Sequence, residues 1–421
     1  MPEFFNVLPP DEARALLFDY LTSQLPAESI PTVEALGRIT AVSPRAPHPL
    51  PNFRRSTMDG YAVKASDTFG ASDTLPAFLQ VVGEVPMGAA AEVELQTGQA
   101  AIVHTGGMIP DTADAVVQIE HTQTIGEYGA EYAASSEPFE IEVLRPVAVG
   151  QNVLQPGEDV AEGAEILPAG HRLRPQDIGG LLALGLTEIS VTRQPRVAIL
   201  ATGDEVIEPT AMPGPGQIRD INSYTVSGQV IEAGGIPIRY GIIPDDIEAM
   251  RQAARRALAE CDMLVMSAGS SVSVRDVTVD VLNELGQPGV LLHGVATRPG
   301  KPTIVGVVEG KPLLGLPGNP VSAMIQFDMF GTPAIYHLQG LQRPPRRGLV
   351  WATLTQNIAS ESGREDYVPA RLSDGPKGLQ ATPVFGKSNL IYTLVNADGL
   401  LKVPLNKGGL LAGEMVEVKL F

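Results

Sequence analysis

The chain has 421 residues, and 48 Asp and Glu against 30 Lys and Arg leave a formal charge of −18. That length supports several domains with cores of their own, and that charge excludes a nucleic-acid partner, which needs a basic surface to neutralise phosphates. Glycine and proline together make about 19% of the chain, against about 12% in ordinary proteins, so many turns and short elements are expected.

Residues 11–25 read as an amphipathic helix with Leu16, Leu17, Tyr20 and Leu21 as its apolar face. A proline-rich passage, residues 44–51, ends that opening segment. From about Asp59 to Arg145 apolar and polar residues alternate between glycines, with strands expected at 78–82, 100–103 and 115–119. This is the pattern of a β-rich module. Residues 147–186 are mixed, and Arg174-Pro175-Gln176-Asp177 opens a short helix toward Leu184.

The rhythm changes between Arg196 and Tyr336. Strands are expected at 197–201, 236–243, 263–266, 303–307 and 313–316. Between them, Ser223 would cap a helix carrying Val226, Val230 and Ile231 that Gly234-Gly235 ends. Asp245 or Asp246 would cap a helix running to Glu260, residues 277–285 are helical, and 321–336 form a helix carrying Met324, Phe327 and Phe330. This alternation means βαβ units and a mostly parallel sheet. The tail, from about Leu341 to Phe421, reads as short strands and glycine turns, a small all-β domain.

Three motifs carry the chemistry: Thr202-Gly203-Asp204-Glu205, Pro299-Gly300-Lys301-Pro302 and Gly315-Leu316-Pro317-Gly318-Asn319-Pro320. Asp204 and Glu205 follow the first strand of the α/β segment and Asp245 the second. Ser267 to Asp276 follow the third, and Gly315 to Ser322 the last. Right-handed crossovers put all parallel strand ends on one edge, where such sheets bind ligands. One acid after a strand is as readily a helix cap, but four polar clusters around one edge point to a shared crevice.

Gly318-Asn319-Pro320 reads as a helix start whose free amides favour an anion, or as a tight turn with no ligand. Lys301, beside Arg298, is either a solvated surface lysine or a contact for phosphate or an oxyanion. Carboxylates next to an anion repel it unless a divalent cation lies between. The residues therefore suggest a magnesium-type ion held by some of Asp204, Glu205, Asp245 and Asp276, with amides and Lys301 on the ligand. A dinucleotide fingerprint and a Walker loop are both absent. Cys261, the single cysteine, excludes an intrachain disulfide, and the histidines show no zinc spacing. The chain shows no signal-peptide pattern and no apolar run of about eighteen residues, so a soluble, cytoplasmic protein without a membrane partner is expected. In the β-rich module, Asp59-Gly60 and Thr105-Gly106-Gly107 are either plain turns or functional positions, and pattern alone leaves both readings open.

Taken in order, these motifs resemble the molybdopterin molybdenumtransferase family, the MoeA class that includes the C-terminal part of gephyrin. The matching stretches are Ser56 to Val63; Thr105-Gly106-Gly107 with Pro110, Asp114 to Val117 and Glu120; and Pro156 to Val160. They continue with Thr202 to Glu205, Gln217-Ile218 with Asn222, Gly241 to Asp246, Ser267 to Asp276, Pro299 to Pro302 and Gly315 to Ala323. The resemblance implies a multidomain α/β plus β fold built around a central doubly wound, mostly parallel-sheet molybdopterin-binding domain at 181–337. Around it would lie a discontinuous mixed domain at 1–46 and 147–180, a β-rich module at 47–146, and a small β-barrel-like domain at 338–421.

It further implies an elongated homodimer in molybdenum cofactor biosynthesis that takes adenylylated molybdopterin and molybdate, inserts the metal into the dithiolene, and releases AMP with Mg2+ assistance. A molybdopterin adenylyltransferase and molybdoenzyme apoproteins would be its protein partners. Carried over by position, Asp59 and Thr105 would come from the partner subunit, and Asp159, Glu205, Asp245, Asp276 and Lys301 would complete the catalytic set. Asp59, Glu205, Asp245 and Asp276 would serve the metal. Thr202, Gly203, Asp204, Ser267, Gly269, Ser271, Pro299, Gly300, Pro317, Gly318, Asn319, Pro320, Ser322 and Ser388 would line the cofactor site. The chain departs from the family's Ser-Gly-Gly-Val-Ser-Val-Gly in having Ser267-Ala268-Gly269-Ser270-Ser271-Val272-Ser273, with Ala268 and Ser273 where glycines usually stand. Two other readings use the same residues: adenylyl transfer, which the additional domains disfavour, and a non-catalytic scaffold role, which the intact acids disfavour.

Overall fold

The computed structural model describes residues 7–22, 24–125, 138–268, 272–345, 348–376 and 378–421. It divides into two compact units, one of residues 43–168 with 176–187, the other of residues 1–42, 169–175 and 188–421. Among the described residues no helix is long and apolar enough to cross a membrane. The opening helix, α1 (Pro10–Tyr20), stops where Leu21 turns extended. Of its expected apolar face, Leu17 and Leu21 are buried with Ala13 and Leu16 packs against the same core, while Tyr20 is 43% exposed.

The β-rich unit holds β1 (Gly60–Val63), β2 (Ala77–Glu84), β3 (Gln99–Val103), β4 (Ala115–Gln118), β5 (Thr122–Thr124) and β6 (Phe139–Val143) in one sheet, ordered β4-β1-β3-β2-β6-β5. Alternation sorts its side chains to two faces. Tyr61, Val63, Leu79, Val81, Val117 and Ile141 form one core, and Ala62, Ala101, Val103 and Val116 belong to another. Asp59-Gly60 is not a turn. Gly60 is the first residue of β1, between Val103 and Gln118, and a Cβ there would lie 2.0 Å from the Val117 carbonyl oxygen. Glycine is needed because the neighbouring backbone occupies the space. Helix α2 (Pro175–Ala183) forms where the Pro175 signal predicts.

The α/β domain contains β7 (Arg196–Thr202), α3 (Asn222–Glu232), β8 (Ile236–Ile243), α4 (Ile247–Glu260), β9 (Met263–Ala268), α5 (Val272–Glu284), β10 (Pro288–His293), β11 (Thr297–Arg298), β12 (Ile304–Val308), β13 (Lys311–Pro317), α6 (Pro320–Gln326) and α7 (Thr332–Leu338). The main sheet runs β8-β7-β9-β13-β12-β10. The first four strands are mutually parallel and the last two pair antiparallel. Along β7, Val197 and Ile199 face α1, α3, α6 and α7, whereas Ala198 and Leu200 face α4 and α5. Helices therefore cover both faces, and each large aliphatic side chain so buried contributes about 1.5–3 kcal/mol. A π-turn at Phe327–Gly331 joins α6 to α7, interrupting the single helix expected from the sequence.

The tail is a barrel of β14 (Leu349–Leu354), β15 (Glu365–Gly375), β16 (Gly378–Pro383), β17 (Gly399–Val403) and β18 (Met415–Leu420). The order β15-β16-β14-β18-β17 closes through a β15–β17 pairing, and β11 of the α/β domain adds to it beside β15. Closure removes the exposed edges that so short a sheet would otherwise carry.

Candidate active site

The parallel strands end together. Thr202 of β7 lies beside Ile243 of β8, Ala201 beside Ser267 of β9, and Ala268 beside Pro317 of β13. Because β12 is antiparallel, it starts at that same edge, Ile304 opposite Gly315, and brings the Pro299-Gly300-Lys301 loop with it. One edge thus gathers all four polar clusters and Lys301, as the sequence predicts.

At that edge Gly203 takes φ +135°, and a Cβ on it would lie 2.7 Å from Oε2 of Glu205. The tight turn sets Glu205 half-buried while Asp204 stays exposed. Oδ1 of Asp204 accepts from the Asp245 backbone N–H at 3.2 Å. Desolvation, together with the Asp204 and Glu205 charges, pushes the Asp245 carboxyl above its ordinary value, against a hydrogen bond from the Asp204 backbone. Asp246, not Asp245, caps α4, accepting from Ala249 N–H at 2.8 Å, so Asp245 is left at the site. Ser223 is not a cap either; its amide donates to Oδ1 of Asp220 at 3.0 Å.

Behind the acids, Thr202 and Ser267 are buried. Asn222 donates to Oγ of Ser267 at 2.9 Å and to the Gly318 carbonyl at 2.8 Å. One side chain thereby ties the ends of two strands to the start of α3. Gly269 and Ser271 lie outside the described residues, as does the side chain of Asp276, whose backbone belongs to α5.

A cavity of about 900 Å³ opens between the loop before β12, the start of α6 and the barrel. Pro299, Gly300, Lys301, Pro317, Asn319 and Ser322 reach it from the α/β domain, and Ser388 reaches it from the tail. Gly318 and Pro320 do not line it. Asn319 donates to Oγ of Ser388 at 2.9 Å, and the Val321 amide donates to the Ser388 carbonyl at 3.1 Å. With Pro320 lacking an N–H and Val321 engaged, this helix start offers fewer amides than the motif suggests. The charge on the cavity comes instead from side chains: Arg298, Lys301, Arg364 and Lys387 all line it, with Asp366 as the one carboxylate among the described residues.

Gln326, which the sequence reading passed over, sets the Lys301 loop. It is fully buried and donates to Oγ1 of Thr297 at 3.0 Å and to the Pro299 carbonyl at 3.1 Å. The signal was a lone amide in the apolar run Val321 to Phe330. Arg364 and Asp366 were missed as well, although Gly363-Arg364-Glu365-Asp366 is a dense charge cluster at a turn.

In the β-rich unit, Oδ1 of Asp59 accepts from the Thr105 amide at 2.9 Å, so the strand register brings these two predicted residues together. The ring of His104 lies between them and Glu84, with Nε2 2.8 Å from Oε1 of Glu84 and Nδ1 3.9 Å from Oδ1 of Asp59. Asp159 is exposed on the turn after Val153–Leu154, which pairs with Arg55–Ser56. Among the described residues, no three acid, histidine or cysteine side chains converge closely enough to hold a metal by themselves.

A doubly wound sheet with polar clusters gathered at one edge, joined to a small barrel beside a cavity lined by Arg298, Lys301, Arg364 and Lys387, is an α/β fold of the ligand-binding kind. Comparison with known proteins makes this specific. Residues 8–185 match the MoeA N-terminal region (domain I and II), residues 198–337 the "Probable molybdopterin binding domain", and residues 351–421 the MoeA C-terminal region (domain IV). The molybdopterin molybdenumtransferase of Bacillus subtilis is 33% identical over 414 residues, 98% of this chain and 94% of that one. Molybdopterin molybdenumtransferase 2 of Mycobacterium tuberculosis is 32% identical over 396 residues, 93% of this chain and 94% of that one. The crystal structure of the MoeA molybdopterin biosynthesis protein from Pyrococcus horikoshii superposes with a TM-score of 0.83 at 33% identity, covering 99% of this chain and 100% of the other. The chain belongs to the MoeA family of molybdopterin molybdenumtransferases.

Proposed function

We propose that this MoeA-family transferase serves molybdenum cofactor biosynthesis by taking adenylylated molybdopterin and molybdate, inserting the metal into the pterin dithiolene, and releasing AMP with the help of Mg2+. The observation that carries this reading is the cavity of about 900 Å³ whose lining holds Arg298, Lys301, Arg364 and Lys387 in a chain of net charge −18. So much local positive charge against so acidic a background fits an anionic ligand. The guanidiniums suit phosphate or oxyanion oxygens in bidentate fashion, and Lys301 supplies a point charge. Asn319 and Ser388, already hydrogen-bonded to each other, orient the ligand's polar edge.

The carboxylates suit Mg2+. Asp204, Glu205 and Asp245 are oxygen donors; desolvation and the charges of the other two push the Asp245 carboxyl above its ordinary value, and a cation would relieve that repulsion. Mg2+ keeps several waters and needs only one or two carboxylates, so Glu205 and Asp245 would hold it, with Asp276 of α5 as a further candidate. When bound, it neutralises charge on phosphate oxygens. The same reading makes the enzyme a cytoplasmic homodimer of four domains, with boundaries as expected above. Asp59 and Thr105 would then be supplied by the partner subunit, alongside Asp159.

The test is AMP release from adenylylated molybdopterin by the purified protein with Mg2+, with and without molybdate. Molybdate-dependent release that Lys301→Ala cuts by at least about tenfold is expected. Tight pterin binding with no AMP release under any condition would overturn the reading and leave a binding role.

A further inference from the structure

We propose that Asp366 is a positioning residue for the anion site, a buried carboxylate that holds the Arg298 and Arg364 guanidiniums at the cavity and so sets oxyanion affinity. The proposal rests on the cationic cavity being the place where the anion binds. It begins with register: β11 and β15 pair in parallel with Arg298 directly beside Asp366. A two-residue strand of the α/β domain is thus joined to the barrel at the very residue that faces both arginines.

The Asp366 side chain is only 4% exposed, and its Oδ1 accepts from Nε of Arg364 at 3.1 Å. Oδ2 lies 3.7 Å from Nη1 of Arg298, whose side chain is 61% exposed. The remaining carboxylate contact of Arg364, Nη1 to Oε2 of Glu361 at 3.1 Å, is to a side chain 77% exposed, and water screens such a pair. Glu365 cannot stand in. Its carboxylate is engaged by Nζ of Lys402 at 2.6 Å and by the Tyr367 hydroxyl at 2.7 Å.

A carboxylate this buried is tolerated only when it is paired, and here both partners line the cavity. Without Asp366, two like charges from different domains would face each other and separate. Arginine loses a large share of its rotamer freedom when fixed on a ligand, and a carboxylate that fixes it beforehand removes that cost from binding. Because Asp366 uses Nε of Arg364 rather than its outer nitrogens, Nη2 remains available for an oxyanion.

The experiment measures molybdate binding by calorimetry and the molybdate dependence of AMP release in Asp366→Asn, Asp366→Ala and Asp366→Glu. Arg298→Ala and Arg364→Ala serve as controls, and circular dichroism checks folding. The expected result is a molybdate Kd and KM raised about tenfold in Asp366→Asn, which matches the loss of one charge-assisted contact. The rise should be larger in Asp366→Ala and partly rescued in Asp366→Glu, with kcat at saturating molybdate within about threefold of the parent. If Asp366→Ala does not fold, the near-isosteric Asp366→Asn decides the matter. A folded Asp366→Asn with unchanged Kd, alongside arginine variants that lose affinity, would overturn the role of Asp366 and leave the anion site standing. Arginine variants that keep full affinity would overturn the anion-site reading and the proposal with it. A fall in kcat at unchanged KM would also refute positioning.

Discussion

Gly300→Ala would show whether the Lys301 loop is held by close packing against α6. Gly300 has φ +106°, and an added Cβ would lie 2.3 Å from Nε2 of Gln326 and 2.5 Å from its Cγ. Gln326 is 0% exposed, and its amide already bridges Thr297 and Pro299. It can move aside only by breaking both hydrogen bonds. A positive φ costs a non-glycine residue about 1–2 kcal/mol, and overpacking a filled interior adds about 1–3 kcal/mol. The substitution should therefore destabilise by roughly 2–5 kcal/mol and weaken molybdate binding, since Lys301 is the next residue. Urea unfolding of the α/β–barrel unit would measure the first effect and calorimetry the second. Because the chain has more than one unit, the transition must be resolved by a probe within this one. In the double variant Gly300→Ala/Gln326→Ala the clashing atoms are gone and only the backbone strain remains, so the cycle should show a coupling above about 1 kcal/mol. An unchanged midpoint in Gly300→Ala, or strict additivity in the cycle, would refute the packing account.

Gly60→Ala drives a Cβ onto the Val117 carbonyl, backbone atoms that cannot turn away. A loss of more than about 3 kcal/mol is expected for the β-rich unit, and near-parental unfolding would show that β1 and β4 are not so closely paired. Asp245 titrates above its ordinary value of 3.8, so the stability contributed by its bound proton is complete below that value and is lost as pH rises through the folded one. Asp245→Asn should accordingly raise the unfolding midpoint at pH 7, with a gain that fades on acidification below pH 3.8. A gain that persists in acid would contradict the electrostatic cause. Asp246→Ala removes only the α4 cap and should cost about 1 kcal/mol while leaving AMP release intact. Tyr367→Phe deletes one hydrogen bond to Glu365 and should cost about 1 kcal/mol, readable as a lower barrel midpoint in chemical denaturation.

The sequence by itself determined what local chemistry and periodicity determine. Alternation of apolar strands with helices fixed the α/β domain, because a strand buried on both faces reads as an unbroken aliphatic run such as Val197 to Ala201. The handedness of crossovers then required Asp204, Glu205, Asp245 and the Gly315 to Ser322 motif to meet at one edge, and they do. Only the tertiary structure decided what depends on pairing between distant segments. The antiparallel pairing of β12 with β13 supplied the physical reason that Lys301 stands at that edge. The meeting of β11 with β15 set Arg298 against Asp366 across sixty-odd residues of chain. Gly60 could be read as a turn until Val117 was seen to fill the place of its Cβ, and Gln326, which the sequence does not mark out, takes its role from the Thr297, Pro299 and Gly300 atoms around it. Periodicity reports which way a side chain points along its own element. It carries no information about which distant atom waits there, and at this site those distant atoms decide the charge and shape of the cavity.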